Sequence, residues 1–299
     1  MTYEIGSLTL EHPVLNGSGT FDAIAARRVF GDALLEDFPF SAFVSKTITP
    51  EPRAGNPPPR LYETPSGMIN SIGLPNKGIE GFLEHDLPRL AELPVPLIVS
   101  VMATDRAGFE RLVDGVGERE EVAALELNVS CPNVKSGLIV GEEPSETRAL
   151  VAALRDRTDK PIVVKLTPNT ADPAAVAVAA EEAGADGVSL INTIRATAFA
   201  PGSSEPWLGA GSGGLSGPAV KVIALEQVRR VSAVVSIAVI GMGGIETASD
   251  AADFIAAGSD LVAVGTASFR DPAAAKGVRD GLEDFLGDTS TLDLNLRSN

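Results

Sequence analysis

Cys131 is the only cysteine in the chain. It follows an apolar run from Ala124 to Val129 and sits between Ser130 and Pro132, where a strand would end. A thiol in such a place is either a small buried hydrophobe or a working base. The second needs neighbouring cations or donors, because a free thiol titrates near about 8.5. The surrounding residue types favour chemistry. Two of the seven lysines, Lys46 and Lys165, also lie at the ends of apolar runs. Asn128 and Asn192 do the same, Thr193 follows, and Asn70 stands in a long polar stretch. An asparagine offers a paired donor and acceptor, so several of them suit a planar amide ring such as a pyrimidine. Gly243, Gly244 and Gly265 follow two further apolar runs. Bare backbone N–H groups at such tips, with a helix start behind them, can hold a phosphate dianion. No His, Asp or Glu occupies a strand end, so the set is not hydrolytic and Cys131 is the evident base, assisted by Lys46 or Ser130.

The elements that must position these groups alternate along the chain. A short hairpin over Tyr3 to Leu10 comes first. Apolar strands follow at Pro13–Asn16, Ala42–Thr47, Leu97–Met102, the run ahead of Cys131, Pro161–Leu166, Gly187–Asn192, Ile237–Ile240 and Leu261–Val264. Amphipathic helices separate them, opened by signals such as Asp22, Pro144, Asp172-Pro173, Pro218 and Thr247. Two long stretches, Ile48 to Gly78 and Thr193 to Gly217, read as ordered loops rich in Gly, Pro and Asn. Continuous apolar strands covered by helices make a parallel sheet. Eight such units predict one α/β domain over residues 1–299, a single (β/α)8 TIM barrel with a short N-terminal hairpin and long loops over its C-terminal face. Two stacked Rossmann-like halves are the alternative, weakened because no G-x-G-x-x-G follows the first strand. In a barrel the strand ends gather on one rim, where active sites form. That rim would carry Ser18, Lys46, Thr47, Ser100, Asn128, Cys131, Lys165, Asn192, Gly243, Gly244, Gly265 and Thr266.

Composition excludes several classes. The formal net charge of −16 opposes binding to a phosphate backbone, so no nucleic-acid partner is expected. The same acidity with few lysines suits a high-salt setting as well as an ordinary acidic protein. No apolar run is long enough to span a membrane, and the first residues lack a signal-peptide pattern. One cysteine and the distant His12 and His85 leave no metal-ligand spacing, so a metal-free cytoplasmic protein is expected.

Seven short motifs in order then make the chain resemble the class 1 dihydroorotate dehydrogenases. They are Asn16-Gly17-Ser18-Gly19, Gly55-Asn56-Pro57-Pro58-Pro59-Arg60, Asn70-Ser71-Ile72-Gly73-Leu74-Pro75-Asn76, Asn128-Val129-Ser130-Cys131-Pro132-Asn133, Lys165-Leu166-Thr167-Pro168, Gly213-Gly214-Leu215-Ser216-Gly217-Pro218-Ala219 and Gly241-Met242-Gly243-Gly244-Ile245. The glycine-rich sixth motif is most similar to the 1B catalytic subunit. Two positions depart from that subgroup: Ser100 replaces an asparagine, and Ile194-Arg195-Ala196-Thr197 replaces a Leu-x-Gly-Met continuation.

The resemblance implies FMN-dependent oxidation of dihydroorotate to orotate in pyrimidine biosynthesis, with one FMN per chain. It makes Cys131 the base at C5, while C6 gives a hydride to the flavin. Lys165 would stabilise the reduced flavin on its N1 side, and Lys46 would lie between flavin and substrate carboxylate. Ser18, Thr47, Asn128 and Ile191 would line the flavin, and Gly217, Gly243, Gly244, Gly265 and Thr266 would hold its phosphate. Asn70, Ser71, Ile72, Gly73, Leu74, Asn128, Asn192 and Thr193 would grip the pyrimidine. The family further implies a homodimer and, for a 1B enzyme, a separate FAD and iron–sulfur subunit. Two other readings remain at this point: a dihydrouridine-synthase-like FMN barrel, and a flavin-binding barrel without catalysis.

Overall fold

The computed structural model describes residues 2–130 and 140–287. Tyr3–Ile5 (β1) and Leu8–Leu10 (β2) pair antiparallel around Gly6, which turns at a φ of 54°. Val14–Asn16 (β3) and Phe43–Val44 (β4) open the barrel. Leu61–Thr64 (β5) and Gly67–Asn70 (β6) form a second hairpin. Leu97–Val101 (β7), Val122–Asn128 (β8), Ile162–Lys165 (β9) and Gly187–Leu190 (β10) continue the barrel. Ile194–Ala196 (β11) and Gly213–Ser216 (β12) lie above it, and Ala238–Met242 (β13) and Leu261–Val264 (β14) complete it. The eight barrel strands run in the order β3-β14-β13-β10-β9-β8-β7-β4, with parallel neighbours throughout.

The seam between β3 and β4 is closed by a side chain. Asn16 Nδ2 donates to Val44 O at 2.8 Å, and Asn16 Oδ1 accepts from Val44 N at 2.8 Å. The amide thus stands in for a strand neighbour, and it is fully buried. Removing it would leave two backbone groups unpaired inside the protein, at about 1–3 kcal/mol each.

Strand side chains alternate between two cores. Val99, Leu125, Leu127, Val164, Val188 and Val262 face outward to the helices. Leu15, Ile98, Ala124, Val163, Ile240 and Leu261 face inward, where Ile5 and Leu10 of the first hairpin plug the floor. Two residues further along, the inward positions of β7, β8, β9 and β10 turn polar, with Ser100, Glu126, Lys165 and Ser189 all buried, while those of β13 and β14 stay apolar with Met242 and Ala263. The barrel therefore has an apolar floor and, on one side, a polar storey directly under its upper rim.

Helix starts match the capping signals. Asp22 accepts from Ala25 N at 2.9 Å ahead of Ala23–Phe30, and Thr247 with Asp250 forms a capping box ahead of Ala248–Ala256. One expected helix, Ile79 to Leu93, is interrupted. It runs as Gly78–Gly81, a π-helical turn at Phe82–Asp86, and Leu87–Leu90. Pro88 has no N–H to donate, and the wider turn falls just before it.

The two long stretches between strands are not simple loops. β5, β6, β12 and β11 pair into a four-stranded antiparallel sheet across the upper rim. Short glycine-bearing strands carry no clear alternation, which hides them from a periodicity reading.

His12 lies at the floor, where its Nδ1 accepts from Val14 N at 3.3 Å. Burial, and then the nearby Arg279 charge, push its pKa down from 6.5 to about 4. A depressed histidine pKa means that the unfolded chain takes up the proton first. Stability attributable to His12 is therefore complete above about pH 6.5 and is lost as pH falls through about 4. Melting temperatures of the protein and of His12→Gln at pH 7 and pH 4.5 check this. The variant should lose less stability between the two; equal losses would remove the role given to His12.

Candidate active site

The rim is built strand by strand. After β3, Ser18 Oγ donates to Ser45 O at 2.8 Å and lies 3.1 Å from Thr47 Oγ1. Thr47 Oγ1 lies 2.9 Å from Ser100 Oγ, so three hydroxyls form a line across the ends of β3, β4 and β7. Ser100, a departure from the resembled pattern, is the buried end of that line. Ser45 and Thr47 point into the protein, and Lys46 between them is exposed at the rim.

The ends of β8 and β10 are joined by amides. Asn192 Nδ2 donates to Ser130 Oγ at 3.0 Å and approaches Asn128 Oδ1 at 3.5 Å. Thr193 N donates to Asn192 Oδ1 at 2.8 Å. Asn169, which the sequence reading did not single out, donates to Thr167 Oγ1 at 3.0 Å and to Thr193 O at 3.1 Å. It also accepts from Arg195 N at 2.9 Å, and so ties the end of β9 to β11. Its place one residue past the Lys165-Leu166-Thr167-Pro168 motif was the available signal. A cleft opens beside Ser130, Asn192 and Thr193, with the Arg195–Glu142 ion pair at 3.4 Å on its edge. Cys131 lies outside the described residues; it follows Ser130 in the chain.

The upper sheet brings Asn70 to this group. Asn70 Nδ2 donates to Gly214 O at 3.4 Å. A Cβ on Gly214 would sit 1.9 Å from Thr193 Oγ1, and one on Gly67 would sit 2.1 Å from Ser216 O. Gly214 has the rim against it and Gly67 the neighbouring strand of its own sheet, so neither position has room for a side chain. Ser71, Ile72, Gly73 and Leu74 leave the end of β6 and wrap onto Asn56. Asn56 Nδ2 donates to Ser71 Oγ at 2.9 Å, and Asn56 N donates to Ile72 O at 3.0 Å. Asn56 is thus the anchor of that segment.

The glycine tips converge on the opposite side. A Cβ on Gly244 would come within 2.9 Å of Gly217 O, and one on Gly217 within 3.6 Å of Thr266 Cγ2. One on Gly243 would meet Ile191 Cγ1 at 3.3 Å. Gly265 faces open space apart from Thr20 Cγ2, 3.8 Å from where its Cβ would be. Three chain segments therefore bring bare backbone to one place, as the approach of a phosphate requires.

Between the amide-bearing ends of β8 and β10 lies Lys165 on β9, 7% exposed, with no hydrogen-bond or ion-pair partner among the described residues. Beneath the rim, Ser189 Oγ donates to Glu126 Oε2 at 3.0 Å, while Glu126 Oε1 is buried with no donor among the described residues. An unmet buried acceptor costs about 1–3 kcal/mol, and more when charged. Glu126 was not singled out from the sequence, because it sits inside an apolar run; Asn16 closes its run and opens the first motif, but its place at the seam was not legible there.

The arrangement fits a phosphate-bearing planar cofactor. It has a cradle of bare glycines, hydroxyls along one side, a buried cation beyond, and amides and a cleft for a second flat molecule. Among the described residues no three His, Cys, Asp or Glu side chains gather as a metal site, and no helix is long and apolar enough to cross a membrane.

Comparison with known proteins points the same way. A family model described as "Dihydroorotate dehydrogenase" matches residues 1–286. The "Dihydroorotate dehydrogenase B (NAD(+)), catalytic subunit" of Desulforudis audaxviator is 45% identical over 295 residues, covering 97% of this chain and 94% of that protein. The protein of the same description from Trichlorobacter lovleyi is 44% identical over 296 residues, covering 99% and 96%. Among solved structures, the crystal structure of DHODH from Eimeria tenella in complex with ferulenol matches with a TM-score of 0.76 at 25% identity, over 97% of this chain and 85% of that one.

Proposed function

The chain belongs to the dihydroorotate dehydrogenase family, and from that premise we propose that it oxidises (S)-dihydroorotate to orotate in pyrimidine biosynthesis, with FMN as its cofactor. The observation that carries this reading is the meeting of a glycine cradle, a buried lysine without a partner among the described residues and an amide cluster on one barrel rim. FMN, when bound, supplies the acceptor for the two electrons that leave the substrate at C6.

The chain supplies everything else. Gly217, Gly243, Gly244, Gly265 and Thr266 would hold the phosphate, and Ser18, Thr47, Asn128 and Ile191 would line the ring. Lys165 would hold negative charge at the ring's N1 side. The mobile-charge partner at the mouth is Lys46, which would meet the substrate carboxylate from its exposed place at the rim. Asn70, Asn128, Asn192 and Thr193 would fix the pyrimidine by paired donors and acceptors, and Ser71 to Leu74 would close over it. Cys131 would take the C5 proton.

The relatives are named as catalytic subunits of an NAD(+) enzyme. We extend the proposal to a second polypeptide carrying FAD and an iron–sulfur cluster, because one cysteine cannot ligate a cluster within this chain. A homodimer and a cytoplasmic site of action belong to the same reading.

The test is anaerobic. Purified yellow protein mixed with dihydroorotate alone should lose its flavin absorbance within one turnover. A protein that keeps FMN but is not bleached would have the wrong substrate assigned. A colourless protein that takes up no added FMN would end the flavin reading.

A further inference from the structure

One buried carboxylate has no part in the roles assigned above. The inward positions of β8 run Ala124, Glu126, Asn128, from apolar floor to rim. Glu126 reaches across β9 to accept the Ser189 hydroxyl of β10 at 3.0 Å. Side chains two strands apart can meet only on the concave inner face. Lys165 stands between them on β9, paired in register with Ser189 on one side and with Asn128 on the other. The Glu126–Ser189 bond therefore passes the barrel axis side of β9 close to Lys165. Both charges are buried, at 3% and 7% exposure, and neither has a direct ion-pair partner among the described residues. A buried charge is retained only where other charges or dipoles compensate it. In a water-poor layer each of these two feels the other, and both act on whatever ring lies above.

We propose that Glu126 is a positioning residue for the bound cofactor: its carboxylate, braced by Ser189, holds negative charge in the buried layer beside Lys165 and lowers the reduction potential of the flavin. The inference rests on the FMN reading given above. Negative charge beneath the ring opposes the charge that reduction adds, and salt screens it little at that depth. A flavin kept at lower potential releases its electrons more readily, which suits a subunit that must pass them to another protein.

The experiment is a redox titration of FMN-loaded protein, unaltered and carrying Glu126→Gln, with FMN content and melting temperature measured alongside. The glutamine variant should hold FMN and show a midpoint potential raised by about 30 mV, a tenfold change for a two-electron couple. An unchanged or lowered potential would overturn the proposal. If Glu126→Gln does not fold, Ser189→Ala decides. It removes the hydrogen bond that holds the carboxylate in its charged form, so the potential should rise here too; an unchanged or lowered value would overturn the proposal. Unaltered protein that binds no FMN would overturn the functional reading together with this one. FMN-loaded variants without the shifts would overturn this inference alone.

Discussion

Cys131→Ser is expected to retain FMN and to lose about 10²–10⁴-fold of its turnover near pH 7, the range a positioned general base contributes. The cause is acidity. A thiol titrates near about 8.5, so a modest stabilisation by neighbours gives usable thiolate at neutral pH. A serine hydroxyl gives almost none. Activity should return in part as pH is raised, because hydroxide can then take over the deprotonation. The measurement is the anaerobic rate of flavin bleaching by dihydroorotate, from pH 6 to pH 10, for both proteins. A serine variant as fast as the unaltered protein at pH 7 would remove Cys131 from the role of base. A variant without bound flavin would show instead that the cysteine is needed for the architecture of the site.

Lys165→Ala should have the second largest effect. The ammonium is buried at the centre of the polar storey, in a setting where a charge acts more strongly than in water. Its removal takes away the only described cation at that level and leaves the Glu126 carboxylate uncompensated. Flavin reduction should slow by about 10²–10³-fold, the loss typical of one preorganised stabilising group, and FMN should dissociate more readily. Stopped-flow bleaching and the FMN content after gel filtration read the two effects separately. A fully yellow variant reduced at the original rate would contradict the assignment. Combining Lys165→Ala with Glu126→Gln should recover part of the lost FMN affinity, because the two charges are neighbours and their effects do not add.

Much of the site could be read before any coordinates. Lys46, Thr47, Asn128, Lys165, Asn192 and Gly265 stand where apolar runs stop, and a parallel barrel gathers those stops on one rim. The glycines could be read as bare backbone, but their reasons differ with position. Gly244 is bare because it packs on Gly217 O, Gly217 because it packs on Gly67 Cα of the upper sheet, and Gly214 because Thr193 of the rim lies against it. Those reasons depend on a neighbour remote in the chain, so no local pattern separates them. Asn56, inside the second motif, and Asn169 were given no role for the same cause: each looks like a loop asparagine until its partners, Ser71 and Thr193, are in view.

The chain by itself determined the alternation of strand and helix and the residues delivered to the rim. These follow from periodicity and capping, which act over a few residues. Tertiary structure alone decided three things. The Asn16 amide closes the seam between the first two barrel strands. The two long stretches pair into one sheet above the rim. Glu126 and Ser189 meet behind Lys165. Each joins groups from remote segments across a distance that exists only once the barrel has closed, so its physical basis is the closure itself and not the local sequence.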